Sequence, residues 1–206
     1  MMDFFVRESR AVVTGPMAIV RYGTCGGISE DASAGCIVIA SEGSGYICRN
    51  PDSFASLYSN VDDDTRTNVV RPYQLSKIAP ASIELSNIVH DCLERELGST
   101  VLRRGVNVSA DSFYSSQGRV DSNFHDNNQD ILQLLNNEYS NPHSLEMESF
   151  FLLHLAQCSK VPIKAAAAAI VVAHRPSGQV LDGSSIDALE RRGGVALLDA
   201  IVQITL

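Results

Sequence analysis

Basic charge is scarce in this chain of 206 residues. Sixteen Lys and Arg stand against 24 Asp and Glu, leaving a formal charge of −8, and no run of Lys or Arg interrupts the acidic background. That balance excludes a nucleic-acid coat or a binder of anionic membranes, both of which need clustered positive charge. Long apolar runs are missing too. The longest, Ala165 to Ala173, has nine residues, well short of the roughly 20 that a membrane-spanning helix requires. No basic-then-apolar signal segment opens the chain. The five cysteines are odd in number and lack metal-finger spacing, so reduced thiols in a cytoplasmic protein are expected. No internal repeat occurs, and the only low-complexity stretch is Ala165–Ala169. What remains, 45% hydrophobic and 19% charged residues, is an ordinary globular composition. It is long enough for one domain with a sizeable core, or for two small ones.

The pattern of apolar residues predicts alternating helices and strands. Met2, Phe5, Val6, Ser9, Val12 and Val13 fall on one helical face at steps of three and four. Met17 to Tyr22 reads as a buried strand that ends in a glycine-rich turn, Gly23 to Gly27. Cys36 to Ala40 reads as a second short strand, and Ser41 to Pro80 as loop with an acidic tip at Asp62-Asp63-Asp64. Leu85, Ile88, Val89, Cys92, Leu93 and Leu97 mark an amphipathic helix closed by Gly98. Val101–Val108 and Ile163–Val172 are expected strands. Asp130–Tyr139, Glu148–Cys158 and Ser185–Leu206 are expected helices, with Gly193-Gly194 costing the last about 1 kcal/mol each relative to Ala. Such alternation favours a parallel or mixed sheet with helices on its faces, its sites lying at the carboxyl ends of strands.

Three polar clusters could carry chemistry. In Arg21-Tyr22-Gly23-Thr24-Cys25-Gly26-Gly27 a guanidinium fork, a hydroxyl and exposed backbone N–H groups could hold an anion. A plain turn with Arg21 in a structural ion pair would read the same way, and no lysine makes it a P-loop. In Asp111 to Arg119, Phe113 could stack on a flat heterocycle, Gln117 could match an imide edge, and Arg119 could donate to carbonyl oxygens. The alternative is a solvated loop with one anchoring aromatic. In Leu145-Glu146-Met147-Glu148-Ser149, two carboxylates around a thioether resemble a diol clamp. Glu148 is equally suited to the start of a helix, where the macrodipole favours an acid. His90-Asp91-Cys92 and His125-Asp126 lack metal-ligand spacing, and Ser109 and Ser112 have no partners for a hydrolase triad. Cys25 lies where oxidation could reach an anion site if local donors stabilised its thiolate.

In order and separation, these three clusters resemble the nucleoside phosphorylases of the trimeric/hexameric type, on their uridine-cleaving branch, over essentially the whole chain. The resemblance implies an α/β fold, three-layer α/β/α around a mixed, partly barrel-like central sheet, as one domain spanning residues 1–206. It implies phosphorolysis of uridine, with deoxyuridine as a further substrate, to uracil and ribose 1-phosphate in pyrimidine salvage. Inorganic phosphate would be the co-substrate, with no cofactor and no metal. Arg21 and Thr24 would contact phosphate. Phe113, Gln117, Arg119 and Arg175 would hold uracil, Arg175 through water. Thr24, Met147 and Glu148 would hold the ribose, with Glu146 a further candidate. A homodimer or larger homo-oligomer is implied, without nucleic acid or membrane.

Purine-cleaving relatives protonate the base with an aspartate after the last buried strand, where this chain reads Val172-Ala173-His174-Arg175-Pro176. The resemblance also expects, ahead of the residues seen here, a first strand and a glycine-rich phosphate loop with its own arginine. The expectation is therefore an N-terminally incomplete domain that is poorly soluble or inactive alone. The rival readings are a purine nucleoside phosphorylase or nucleosidase of the same fold, and an inactive paralogue serving as a partner subunit.

Overall fold

The computed structural model describes residues 1–58 and 71–206. In chain order its elements are α1 (Met2–Val12), β1 (Met17–Gly27), β2 (Ile37–Arg49), a 3-10 segment (Pro51–Leu57), β3 (Tyr73–Leu75), α2 (Ile83–Leu97), β4 (Leu102–Ala110), α3 (Ile131–Glu138), β5 (Pro142–Glu146), α4 (Ser149–Cys158), β6 (Ile163–His174) and α5 (Gly183–Gln203). The acidic tip at Asp62-Asp63-Asp64 lies outside the described residues. Among those described, no helix is long and apolar enough to cross a membrane.

The strands form one mixed sheet in the order β3-β2-β4-β5-β1-β6, and β2 also pairs with β6. Five strands thus close into a ring, with β3 attached outside it. This is the α/β architecture with a partly barrel-like sheet that the resemblance implied. Its seams are unequal. β1 runs parallel to β6 along its whole length, from Met17 beside Ile163 to Gly27 beside His174. Along its other edge β1 meets β5 only at Gly26 and Gly27.

β6 shows how a strand of alanines serves two cores at once. Successive strand side chains point to opposite faces. Ala166, Ala168 and Ile170 pack against α2 and α5, through Leu85, Val89, Leu93, Ala196 and Leu197. Ala165 packs on the other side with Val6 of α1 and with Phe150, Leu152 and Leu153 of α4. Small side chains let helices approach from both faces. α2 forms where the periodicity places it. The Ser82 hydroxyl caps its start by accepting from the Leu85 N–H, and Gly98, at φ 89°, ends it. That backbone conformation favours glycine.

The structure corrects several local expectations. Gly23–Gly27 is not a turn but the end of β1, its backbone paired to β6. A Cβ at Gly27 would lie 2.0 Å from the Ala32 carbonyl oxygen, so close approach, not a turn, demands glycine there. β2 continues through the expected loop to Arg49, and the Pro51–Leu57 segment and β3 follow it. β5, absent from the sequence reading, is buried at every residue. In α1 only Val6 of the expected apolar face is buried. Gly193 has a reason to be glycine, because a Cβ there would lie 2.0 Å from the Tyr22 hydroxyl.

Candidate active site

β1, β5, the end of β6 and the loop after β4 surround a cavity of about 510 Å³, within the range of small-molecule sites. It is lined by Arg21, Gly23, Thr24, Cys25, Gly26, Phe113, Gln117, Arg119, Leu145, Glu146, Met147, Glu148, Val172 and Ala173. The three clusters, far apart in sequence, therefore meet in one place. The clusters following β4 and β5 stand at strand carboxyl ends as expected, but Arg21 sits in the middle of β1. Its side chain lies along the strand over Gly23, where a Cβ would come within 2.8 Å of Arg21 Nη2.

The wall formed by β1 and β5 is organised around Glu146, which is 4% exposed. Its carboxylate accepts from Asn107 Nδ2 at 2.7 Å and Ser109 Oγ at 2.5 Å. It also accepts from the backbone N–H of Glu148 at 2.8 Å and of Ser149 at 3.1 Å. Glu146 thus caps the start of α4, satisfying N–H groups that have no partner within the helix. Asn107 is held in turn, accepting from Ser144 Oγ at 2.8 Å and donating to Ser44 Oγ at 2.9 Å. Burial alone would push the Glu146 carboxyl upward. The Arg21 charge and the donors Ser109, Asn107 and Glu148 N–H outweigh burial and hold it below the ordinary carboxylate range.

Arg21 links the two acids. Its Nη2 lies 3.1 Å from Glu146 Oε2 and 2.5 Å from Glu148 Oε2. Its Nη1 is buried with no hydrogen-bond partner, a costly state that an incoming acceptor would relieve. Glu148 differs from Glu146: its side chain is 42% exposed, and it makes no capping bond to α4 although it stands at the N-cap position. It is free to turn toward a ligand.

The loop after β4 forms the other wall through local contacts. Arg119 Nη1 donates to the Phe113 carbonyl at 2.6 Å and to Gln117 Oε1 at 2.5 Å. The Arg119 guanidinium also lies 3.8 Å over the Phe113 ring. Phe113 is 52% exposed, whereas Gln117 is buried. Arg175 does not line the cavity. It donates to the carbonyls of Gln117 at 3.0 Å and Gly118 at 3.4 Å from outside, and so braces the loop. Burial and then the nearby Arg175 charge shift Arg119 below its ordinary value, so two cations crowd this end.

Cys25 lines the cavity but is not primed for oxidation. Burial, reinforced by Glu146, pushes its thiol upward, and it points toward the Ala169 and Ile170 carbonyls. On the outer helix α2, His90, Asp91 and Glu94 bring donor atoms within 4.8 Å of one another, closer than their spacing suggested, but at the surface and outside the cavity. Asn107 and Ser144 are absent from the sequence reading, and Ser109, considered there only for a hydrolase triad, instead donates to Glu146. The signal was present: Asn107 and Ser109, two apart in an apolar strand, share one face of β4.

The chain belongs to the phosphorylase superfamily, whose pattern it matches over residues 1–195. It is similar to a structure described with two diverse uridine phosphorylases of the oomycete Phytophthora capsici. The identity is 39% and the TM-score 0.89, with 100% of this chain and 72% of that one covered. A Trypanosoma brucei nucleoside phosphorylase, described as showing uridine phosphorylase activity, shares the fold. There the TM-score is 0.67 at 18% identity, covering 91% of this chain and 64% of that one. Among curated proteins, none matches.

Proposed function

We propose that this chain is a pentosyltransferase that cleaves uridine with inorganic phosphate, giving uracil and ribose 1-phosphate. The observation that carries the reading is the meeting of an amide and guanidinium, Gln117 and Arg119, with the Arg21–Glu146–Glu148 cluster across one cavity. Arg21, through its unpartnered Nη1, and Thr24 hold phosphate. Glu148 exchanges its bond to Arg21 for the ribose hydroxyls, with Met147 against the sugar. Glu146 keeps Arg21 in place. Gln117 and Arg119 bind the pyrimidine edge beside Phe113.

The reaction needs no side-chain nucleophile. A phosphate oxygen attacks the anomeric carbon, the C1′–N1 bond breaks, and its electron pair leaves with uracil. Negative charge grows on the uracil carbonyls at the end where Arg119 lies close to Arg175, and donors already in place stabilise it most. Val172 and Ala173, near the end of β6 and lining the cavity, supply no carboxylic acid to protonate a purine. That supports the pyrimidine reading.

Free base released from uridine and from inosine, with and without phosphate, is the test. Phosphate-dependent uracil release, with inosine left intact, is expected. Phosphate-independent release would replace this reading with a nucleosidase. Around phosphate, the described residues offer Arg21 against two carboxylates, so the assay is repeated over a wide range of phosphate concentration. Silence throughout would favour a non-catalytic partner subunit.

A further inference from the structure

One terminal nitrogen of Arg21 is already taken. Nη2 is shared between two carboxylates, Glu146 Oε2 at 3.1 Å and Glu148 Oε2 at 2.5 Å. Two acids around one guanidinium leave a net negative charge where an anion is to bind, and like charge repels it. The two acids are not equally fixed. Glu146 is buried and also accepts from Asn107, Ser109 and the backbone N–H groups of Glu148 and Ser149. It cannot leave without stranding those donors. Glu148 is half-exposed, and among the described residues its carboxylate accepts from Arg21 alone.

An ionised carboxylate only accepts hydrogen bonds, so the partner that draws Glu148 off Arg21 must donate. Two adjacent hydroxyls match its two oxygens. In the uridine-cleaving reading, on which this inference rests, they are the 2′ and 3′ hydroxyls of the ribose. Phosphate, in contrast, needs Arg21 with Glu148 gone. Each ligand binding alone must break the Arg21–Glu148 bond, whereas the two together break it once. Each therefore strengthens the other, and by the same factor.

We propose that Glu148 is a specificity-determining residue that withholds Arg21 from anions until a sugar bearing a vicinal diol takes its carboxylate. A ribonucleoside and phosphate then help one another into the cavity, whereas a free base and phosphate do not. Ribose 1-phosphate carries both groups and takes both ends of the ion pair at once. The coupling is about five- to tenfold, the low end for linked sites, because the pair is partly open to water.

Calorimetric titration of the whole chain with sulfate tests this, since sulfate has the shape of phosphate but leaves uridine intact. The parent and Glu148→Gln are each titrated alone, with saturating uridine, and with saturating 2′,3′-dideoxyuridine, which keeps the base but lacks the diol. Position 148 is half-exposed and makes no capping bond to α4, and circular dichroism checks that the variant is folded. In the parent, uridine is expected to tighten sulfate binding about five- to tenfold, and dideoxyuridine to leave it unchanged. Glu148→Gln is expected to bind sulfate alone as tightly as the parent does with uridine, and to gain nothing from uridine. If sulfate binds Glu148→Gln no more tightly than the parent, or binds neither, Glu148 does not hold Arg21 back and the proposal fails. Equal effects of uridine and dideoxyuridine on the parent would overturn it too, because the diol would not be what draws Glu148 away. If the parent does not bind uridine at all, the nucleoside reading fails. Tighter sulfate binding by Glu148→Gln then upholds Glu148 as the competitor for Arg21, and equal binding overturns it.

Discussion

The two walls of the cavity are built on opposite principles. The β1–β5 wall is tied together by contacts between distant parts of the chain. Arg21 of β1 meets Glu146 and Glu148, and Glu146 is held from β4 by Asn107 and Ser109. The loop after β4 is held chiefly by shorter-range contacts, Arg119 to Gln117 and Phe113 and Asn128 to the Ser115 and Arg119 carbonyls, with Arg175 as a distant brace. Around Glu146 the first wall is as rigid as the sheet, and only half-exposed Glu148 can move without disturbing the core. The second can rearrange its few polar contacts around a base at small cost. Stability and function are therefore expected to separate between them.

The hardest blow to that contrast comes at Glu146. Glu146→Ala leaves the α4 N–H groups and Arg21 without their shared acceptor in a buried setting. It should destabilise the fold by about 3–5 kcal/mol, read from urea unfolding midpoints, with Glu146→Gln recovering part of the loss. A value below ~1 kcal/mol would mean that the network is not what holds this wall. Arg21→Ala comes next and should lower phosphate-dependent uracil release about 10²–10³-fold, the scale of losing one charge-stabilising donor. Equal loss for Arg21→Ala and Arg21→Lys would point to the planar fork rather than to charge alone.

Arg119→Ala sharpens the comparison from the other side. It should reduce kcat/KM for uridine by roughly 10–100-fold, about 1–3 kcal/mol of a lost substrate contact. Fold stability should fall by only about 1 kcal/mol, the scale of an exposed cation–π contact. An Arg119 variant as unstable as Glu146→Ala would erase the distinction between the walls.

A pH series gives a smaller effect. Glu146 has its folded-state value depressed, so its contribution is fully present above the unfolded carboxylate value of about 4.3. It is lost as pH falls through the lower, folded value. Acid unfolding of the parent should therefore be steeper than that of Glu146→Gln. The smallest expected difference concerns the thiols. Iodoacetamide at neutral pH should label exposed Cys158 and spare buried Cys25, as mass spectrometry of the labelled peptides would show.

Much of this was legible in the sequence where apolar periodicity and a closing glycine agree, as in α2, with its buried Leu85, Val89 and Leu93 ahead of Gly98. The lining residues of both walls were legible as well, because guanidinium, amide and paired carboxylates stand out in an apolar background. Other features were hidden for physical reasons. β5 reads Pro142-His143-Ser144-Leu145-Glu146, largely polar yet wholly buried. Ser144 and Glu146 are satisfied in large part by Asn107 and Ser109 of β4, and His143 by Ser29, partners that no local window contains. Gly23–Gly27 suggested a turn because glycine permits one. Here it permits Arg21 to lie flat and Ala32 to come close, which are tertiary facts. The exposed side of α1 shows the opposite error: Phe5 is 52% exposed although its spacing predicts burial.

The unequal seams of the ring bear on how the chain comes to be folded. The long parallel edge joins Met17 to Ile163 and Gly27 to His174, so β1 must wait for nearly the entire chain to be synthesised before its partner exists. Helices such as α2 can form locally in that interval, but β1 cannot. Pairings between such distant residues are slow to close, and an unpartnered strand edge can pair with the wrong chain meanwhile. Because Arg21 rides on that strand, the β1–β5 wall is expected to be among the last features of the molecule to be completed.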